Sequence, residues 1–210
     1  MAAFFNDLFD EFLTPAFLGE VCQKFHFGES DECEIRAVAE EMLPLMREEA
    51  FWERKGPFRK GQHRAGNGGA TYELVAMSLG KGVDDLQESY HKKGLLLQSY
   101  MLEVLAGELL MRGYSAYRCY IRKSAGWQVS RYHFPGSEEG FPLEVLPHLL
   151  NVLTQRISCN SAFCMLPQKS VVFVSELSKD EKVKCKDICD ECNNMNCPNR
   201  KYDAWRNKVE

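Results

Sequence analysis

The chain has 210 residues, of which 45% are hydrophobic and 27% are charged, a balance typical of a soluble globular protein with a sizeable core. Its formal net charge of −4 argues against a nucleic-acid-binding protein that relies on a broad basic face. No apolar run approaches the roughly 18 residues needed to span a bilayer, and the acidic N-terminus lacks the basic region of a signal peptide. We therefore expect a cytoplasmic protein with neither a nucleic-acid nor a membrane partner.

Residues 1–69 are expected to form an N-terminal helical, Phe-rich arm followed by a loop. The phenylalanines of residues 1–27 have partly helical spacing, which favours a helix that packs on the core; an arm that docks a partner is the alternative. Residues 30–55 predict a helix, with a kink or break near Leu43 because Pro44 lies inside the pattern. Residues 55–69 are glycine-rich and basic, which predicts a solvated loop or, alternatively, an anion clamp.

Residues 70–180 are expected to form the main domain, in which helices and strands mix without a regular βαβ alternation. The predicted class is therefore α+β (mixed α/β), with a twisted, mainly antiparallel sheet flanked by helices. Strand patterns cover 71–80, 114–121, 127–134 and 169–177, and helix patterns cover 83–94, 95–113 and 141–156.

Residues 181–210 form a short Cys-rich C-terminal segment, in which Cys185, Cys189, Cys192 and Cys197 have the spacing C-x3-C-x2-C-x4-C. Thiolates are preferred ligands of zinc and of iron–sulfur clusters. Compact cysteine runs favour a [4Fe–4S] cluster, with zinc as the alternative metal. Reactive redox thiols and unliganded surface cysteines are the alternatives to a metal site. An odd total of nine cysteines fits a reducing compartment better than a disulfide framework.

Four segments between residues 75 and 200 resemble a known protein family when they are taken in order: 75–110, 131–153, 164–177 and 189–200. This order is similar to that of the reactivation (activation) domain of vitamin B12-dependent methionine synthase. The resemblance extends to its short stand-alone bacterial relatives, which end in a similar C-x2-C-x4-C-x2-R run. It covers about three-fifths of the chain.

The resemblance implies a shallow groove that binds S-adenosylmethionine through an Arg-x-x-Pro-Gly-Tyr loop. The matching cofactor-binding residues are Arg131, Pro135, Gly136 and Ser137. Arg131 stands one residue further from Gly136 than in the family, and Ser137 replaces the family's tyrosine. Residues 160–162 read Asn-Ser-Ala where the family has Thr-Glu-Ser, so that Ser161 replaces a carboxylate.

The favoured function is an accessory protein of corrinoid (cobalamin)-dependent methyl transfer, which assists the reductive reactivation of a partner corrinoid protein or methyltransferase. Cobalamin would be held by the partner, and S-adenosylmethionine is the candidate small-molecule ligand. The alternative is a non-catalytic interaction module with a structural zinc or iron–sulfur site. A third hypothesis is an enzyme for another small ligand in the same groove. No nucleophile–base pair stands out, and no catalytic residue is predicted.

Overall fold

The computed structural model describes residues 3–59 and 70–186. Within these ranges the helices are α1 (Ala3–Phe12), α2 (Pro15–Phe25), α3 (Glu32–Glu49), α4 (Lys81–Lys92), α5 (Leu96–Ala125) and α6 (Leu146–Leu153). The strands are β1 (Phe51–Arg59), β2 (Thr71–Ser78), β3 (Gln128–His133), β4 (Ser158–Cys159), β5 (Met165–Leu166) and β6 (Ser170–Ser178). Two short 3-10 turns, Glu29–Asp31 and Leu143–Val145, precede α3 and α6.

Four strands form the main sheet in the order β1-β2-β6-β3, and each neighbouring pair is antiparallel. At its centre β2 pairs with β6 without a break, from Thr71 opposite Leu177 to Ser78 opposite Ser170. The short strands β4 and β5 form a separate antiparallel pair. The predicted α+β class with a mainly antiparallel sheet and helices is therefore confirmed. Beyond residue 186, the predicted Cys-rich segment lies outside the described residues.

The two faces of the sheet carry different amounts of helix. One face packs on the main core, to which α1–α5 all contribute buried side chains. Four of the N-terminal phenylalanines belong to this core, as the packing interpretation predicts: Phe5, Phe9, Phe12 and Phe17 are at most 5% exposed. The other face carries a smaller cluster of Phe51, Leu74, Ala76, Leu146, Leu150, Ile157 and Val172 beneath α6. This second face is where the sheet has room for a site.

The strand predicted over residues 114–121 is wrong, because α5 continues through it to Ala125. The aromatic and β-branched composition of this segment favours a strand locally. In the fold, however, Gly113, Tyr117 and Ile121 recur every four residues and are buried together on the helix face that meets the main core. Burial of that face outweighs local propensity. Gly126 then ends the helix in the left-handed conformation.

The helix predicted over residues 30–55 is also too long. It ends at Glu49, and Phe51–Arg59 form the edge strand β1, part of which the sequence assigns to a loop. The chain leaves the helix at Ala50, which has extended backbone angles. Neither glycine nor proline stands at this boundary to mark it in the sequence. The expected break near Leu43 is absent from α3, which runs through Pro44 as one helix. The helix thus tolerates the loss of the one backbone N–H donor that proline lacks.

No helix of the described ranges is long and apolar enough to cross a membrane.

A buried carboxylate sits between the sheet and α5. The Glu73 side chain is 1% exposed and forms an ion pair with Arg54, whose Nη1 lies 2.5 Å from Oε1. The Tyr117 hydroxyl donates to Glu73 Oε2 at 2.7 Å and lies 2.6 Å from the Ser175 hydroxyl. Burial and the negative charge of Glu73 raise the pKa of Tyr117 above its ordinary value. The network ties β1, β2, β6 and α5 together.

Replacing Tyr117 with Phe should lower the free energy of unfolding by about 1–3 kcal/mol, because a buried carboxylate loses a donor. The control is Tyr100→Phe in the same helix, where the side chain is 49% exposed and the change should cost less than about 0.5 kcal/mol. Urea unfolding of both variants measures the difference. Equal midpoints for the two would contradict the role of this network.

Candidate ligand-binding site

One cross-strand row on the second face of the sheet contains a residue from each of the four strands. Phe58 lies opposite Tyr72, Tyr72 opposite Glu176, and Glu176 opposite Arg131. Directly opposed residues of antiparallel strands point to the same face, so the four side chains line up side by side. Phe58 is 45% exposed, and the side chains of Glu176 and Arg131 are 34% and 31% exposed. We call these four residues the sheet row.

Charged groups gather at the β3 end of the sheet row. His133, also on β3, places Nδ1 2.9 Å from Glu138 Oε1 and Nε2 3.5 Å from Glu176 Oε2. Arg131 Nη2 lies 3.5 Å from the other Glu138 oxygen. His133 Nε2 is buried and makes no hydrogen bond within the described part of the chain. This end of the row therefore presents both signs of charge to a ligand.

The Tyr72 ring joins this charged end to the aromatic end. Its centroid lies 6.2 Å from that of the His133 ring. Burial, and secondly the nearby charge of Glu176, raise the pKa of the Tyr72 hydroxyl, which therefore remains protonated at neutral pH. Tyr72 thus presents a flat neutral ring beside a carboxylate.

A tight turn follows β3 and brings Glu138 back over the sheet. The Ser137 amide donates to the Phe134 carbonyl at 3.0 Å, so Pro135 and Gly136 occupy the two central positions. Gly136 has φ +83°, as the third position of a type II turn requires. The Gly136 amide donates to the Phe141 carbonyl at 2.7 Å, and the Ser137 hydroxyl donates to the Phe134 carbonyl at 2.8 Å. The Ser137 side chain is thus used within the turn.

The predicted ligand residues occupy one continuous stretch, from the end of β3 into this turn. Their roles as ligand contacts stay a prediction. Four residues outside this prediction lie beside them in space: Phe58, Tyr72, Glu138 and Glu176. Glu138 carried a weak signal, since it directly follows the Pro-Gly turn. The other three depend on strand pairing between distant segments, which sequence spacing does not reveal.

Of the four predicted metal ligands, only Cys185 lies among the described residues. It is partly buried and packs against the main core. The next residue, Lys186, donates its amide to the Ser130 carbonyl of β3 at 2.9 Å. Cys189, Cys192 and Cys197 lie outside the described residues. Across residues 3–59 and 70–186, no group of three or more His, Cys, Asp or Glu residues is arranged to hold a metal ion.

No protein-family model matches the chain, and no curated protein matches it in sequence.

A side chain added at Gly136 should destabilise the turn, whereas one added at Gly140 should leave its stability almost unchanged. A Cβ added at Gly136 would lie 3.3 Å from Leu143 Cβ, and the substituted residue would have to keep φ +83°. A Cβ added at Gly140 would have no atom within 4 Å. We expect Gly136→Ala to lower the free energy of unfolding by about 1–2 kcal/mol, and Gly140→Ala by less than about 0.5 kcal/mol. Thermal unfolding measures both; equal losses would show that the turn is not constrained.

Proposed function

We propose that this protein is an accessory protein of corrinoid-dependent methyl transfer, which binds S-adenosylmethionine and assists the reductive reactivation of a partner corrinoid protein. The partner would hold the cobalamin, and the reaction would take place on that cofactor. This chain would bind and orient the methyl donor. A cytoplasmic location is part of the same proposal, because metal binding by the Cys-rich segment needs reduced thiols and the cytosol keeps thiols reduced.

The observation that carries the proposal is the joint position of Arg131 and the Pro135–Gly136 turn beside an open part of the sheet. The turn holds its backbone amides in fixed directions, and Arg131 lies five residues before Gly136 with its side chain 31% exposed. A guanidinium in such a position suits a carboxylate ligand, because it donates two parallel hydrogen bonds. This supports a site for the amino-acid end of the methyl donor.

The charges around Arg131 suit an α-amino acid better than a simple anion. Arg131 and Glu138 are 3.5 Å apart, which is a loose ion pair at a partly exposed site. A bound carboxylate would replace Glu138 as the partner of Arg131. The released Glu138 carboxylate, together with that of Glu176, would then face the ammonium group of the ligand. The exchange gives each charge of the ligand an opposite charge, whereas a lone anion would displace Glu138 without bringing a cation to it.

The Cys-rich segment is the second part of the proposal. We infer that Cys185, Cys189, Cys192 and Cys197 bind one metal centre, a [4Fe–4S] cluster in preference to zinc. Closely spaced thiolates repel one another, and a cation removes that cost. Cys185 suits a ligand role because the amide of the next residue, Lys186, is anchored to the carbonyl of Ser130 on β3. A low-potential cluster would suit a reactivation that needs an electron.

Binding of S-adenosylmethionine tests the first part of the proposal. Arg131→Gln should weaken binding at least about ten-fold, because a hydrogen bond to a charged group is lost. The matched control is Arg112→Gln, which removes a similarly exposed, ion-paired arginine on the helical side of the molecule and should bind like the wild type. Calorimetry measures both affinities. Equal binding by the two variants would contradict the placement of the ligand.

Metal analysis of anaerobically purified protein tests the second part. We expect iron and sulfide in the wild type and loss of the metal in Cys192→Ser, because a site with four thiolate ligands loses one of them. Cys33→Ser removes an exposed thiol from α3 and should retain the metal. Elemental analysis and visible absorption give the readout. A Cys192→Ser variant with full metal content would exclude the proposed ligand set.

A non-catalytic interaction module is the second candidate function. It is favoured by one observation: the Ser137 hydroxyl, at the position of the family's tyrosine, donates within its own turn at 2.8 Å. In that case the Cys-rich segment would hold a structural zinc, and the ligand groove would be vestigial. A colourless, zinc-containing protein that does not bind S-adenosylmethionine would support this candidate over the first.

A further inference from the structure

The first turns of α5 expose a cluster of apolar side chains. Leu96, Leu97 and Tyr100 are 70%, 44% and 49% exposed, and they are three of the six large apolar side chains that are exposed in the described part of the chain. The Phe27 ring adjoins them, since its centroid lies 5.7 Å from that of Tyr100. We call these four residues the α5 patch. Single exposed apolar residues are ordinary, whereas a cluster of them marks a surface for another molecule.

The α5 patch is bordered by a different helix on each side. An α-helix turns by about 100° per residue, so the three side chains that α5 contributes lie within one arc of about 100°. Ser99 lies to one side of this arc and contacts α4, where its hydroxyl is 2.6 Å from His91 Nε2. Gln98 lies to the other side and contacts α3, where it donates to Glu34 Oε1 at 2.5 Å.

The α4 border of the patch is basic. The helix ends at Lys92 and Lys93, and both side chains are exposed. Lys92 Nζ lies 2.7 Å from Glu88 Oε1, a pair one helical turn apart in which both side chains are more than 60% exposed. Such a surface pair is weak. Lys93 makes no ion pair with the residues that the structure describes.

The α3 border of the patch is acidic. The segment 29–34 begins two residues after Phe27 and leads into α3. It carries four carboxylates and no basic residue: Glu29, Asp31, Glu32 and Glu34. The patch is therefore an apolar strip between borders of opposite charge.

We propose that the α5 patch is the interface of a homodimer, in which a second copy of this chain covers it with the same patch. The inference is independent of the proposed function, because the patch contains no residue of the sheet row, the Pro135–Gly136 turn or the Cys-rich segment.

The two charged borders make the patch complementary to itself. A closed dimer has a two-fold axis, and each copy contributes the same surface. An axis that runs along the patch, parallel to α5, places the α4 border of each copy opposite the α3 border of the other. Lys92 and Lys93 of one copy then face the segment 29–34 of the second copy. The apolar side chains meet between them, which gives the apolar centre and polar rim of a protein interface.

The same borders disfavour other occupants. An anionic lipid surface would attract the two lysines, but it would repel the four carboxylates on the other side of the patch. A protein partner of one predominant charge would likewise meet a border of its own sign. Because only four side chains form the apolar centre, the dimer should be a weak one that forms as the protein concentration rises.

Sedimentation equilibrium of the full-length protein, with a thiol reductant to prevent disulfide cross-links, tests the interface. The wild type should pass from monomer to dimer over about a hundred-fold range of concentration. Leu96→Asp should weaken dimerisation at least about ten-fold, because it places an unpaired charge in the apolar centre. Leu96 is largely exposed in the single chain, so the fold should tolerate the change. Leu166→Asp, an exposed leucine outside the patch, is the control and should dimerise like the wild type.

A charge reversal tests the arrangement of the two copies. Lys93→Glu should weaken dimerisation about ten-fold, because it places a negative charge opposite the acidic segment of the second copy. The matched control is Lys123→Glu, which makes the same change of net charge at an exposed position near the other end of α5 and should dimerise like the wild type.

Four outcomes would overturn the inference. The wild type could stay monomeric throughout the range, or Leu96→Asp could associate as strongly as Leu166→Asp. Equal dimerisation by Lys93→Glu and Lys123→Glu would show that the oppositely charged borders do not meet. Finally, a monomeric wild type that binds vesicles of phosphatidylserine and phosphatidylcholine, and loses this binding in Leu96→Asp, would assign the patch to a lipid surface instead.

Discussion

The antiparallel register between β2 and β6 decides which side chains face each side of the sheet. These two strands form its centre, and their eight consecutive pairs contain no irregularity. A slip of one residue would exchange the faces of every side chain on one of them. If β2 were the inverted strand, Val75 and Met77 would leave the main core and Tyr72 would enter it; if β6 were, Phe173 would leave the core and Glu176 would enter it. The core and the sheet row therefore depend on the same pairing.

The polar group buried on the core side restricts that register further. Glu73 follows Tyr72 directly and points to the opposite face, where Arg54 and Tyr117 satisfy its carboxylate. If β2 shifted by one residue, this carboxylate would turn away from both partners, and a buried charge without partners costs several kcal/mol. The network thus penalises the alternative pairings as well as stabilising the observed one. The exposure of Tyr72 on the second face is, in this sense, a consequence of the burial of Glu73.

Local patterns predict much of this fold but little of the candidate site. The central strands β2 and β6 are recognisable as apolar runs, and the helical spacing of α4 and the first half of α5 is clear. The second half of α5 is not, since the preference of its tyrosines for strands is overridden by packing that involves distant segments. In the same way, Arg131 and the Pro135–Gly136 turn form a local motif, whereas Tyr72 and Glu176 meet only because β2 pairs with β6. Long-range pairing carries no local signature.

The irregularity in β3 explains how an edge strand serves both the core and the candidate site. Val129 faces the main core opposite Leu177, and strict alternation would send Arg131, two residues later, to the same side. The pairing shifts between Val129 and Arg131, so that one extra residue, Ser130, is inserted and Arg131 lies opposite Glu176 on the second face. The carbonyl of that extra residue accepts the amide of Lys186. A single bulge therefore places Arg131 on the second face and provides the carbonyl that anchors Lys186 of the Cys-rich segment.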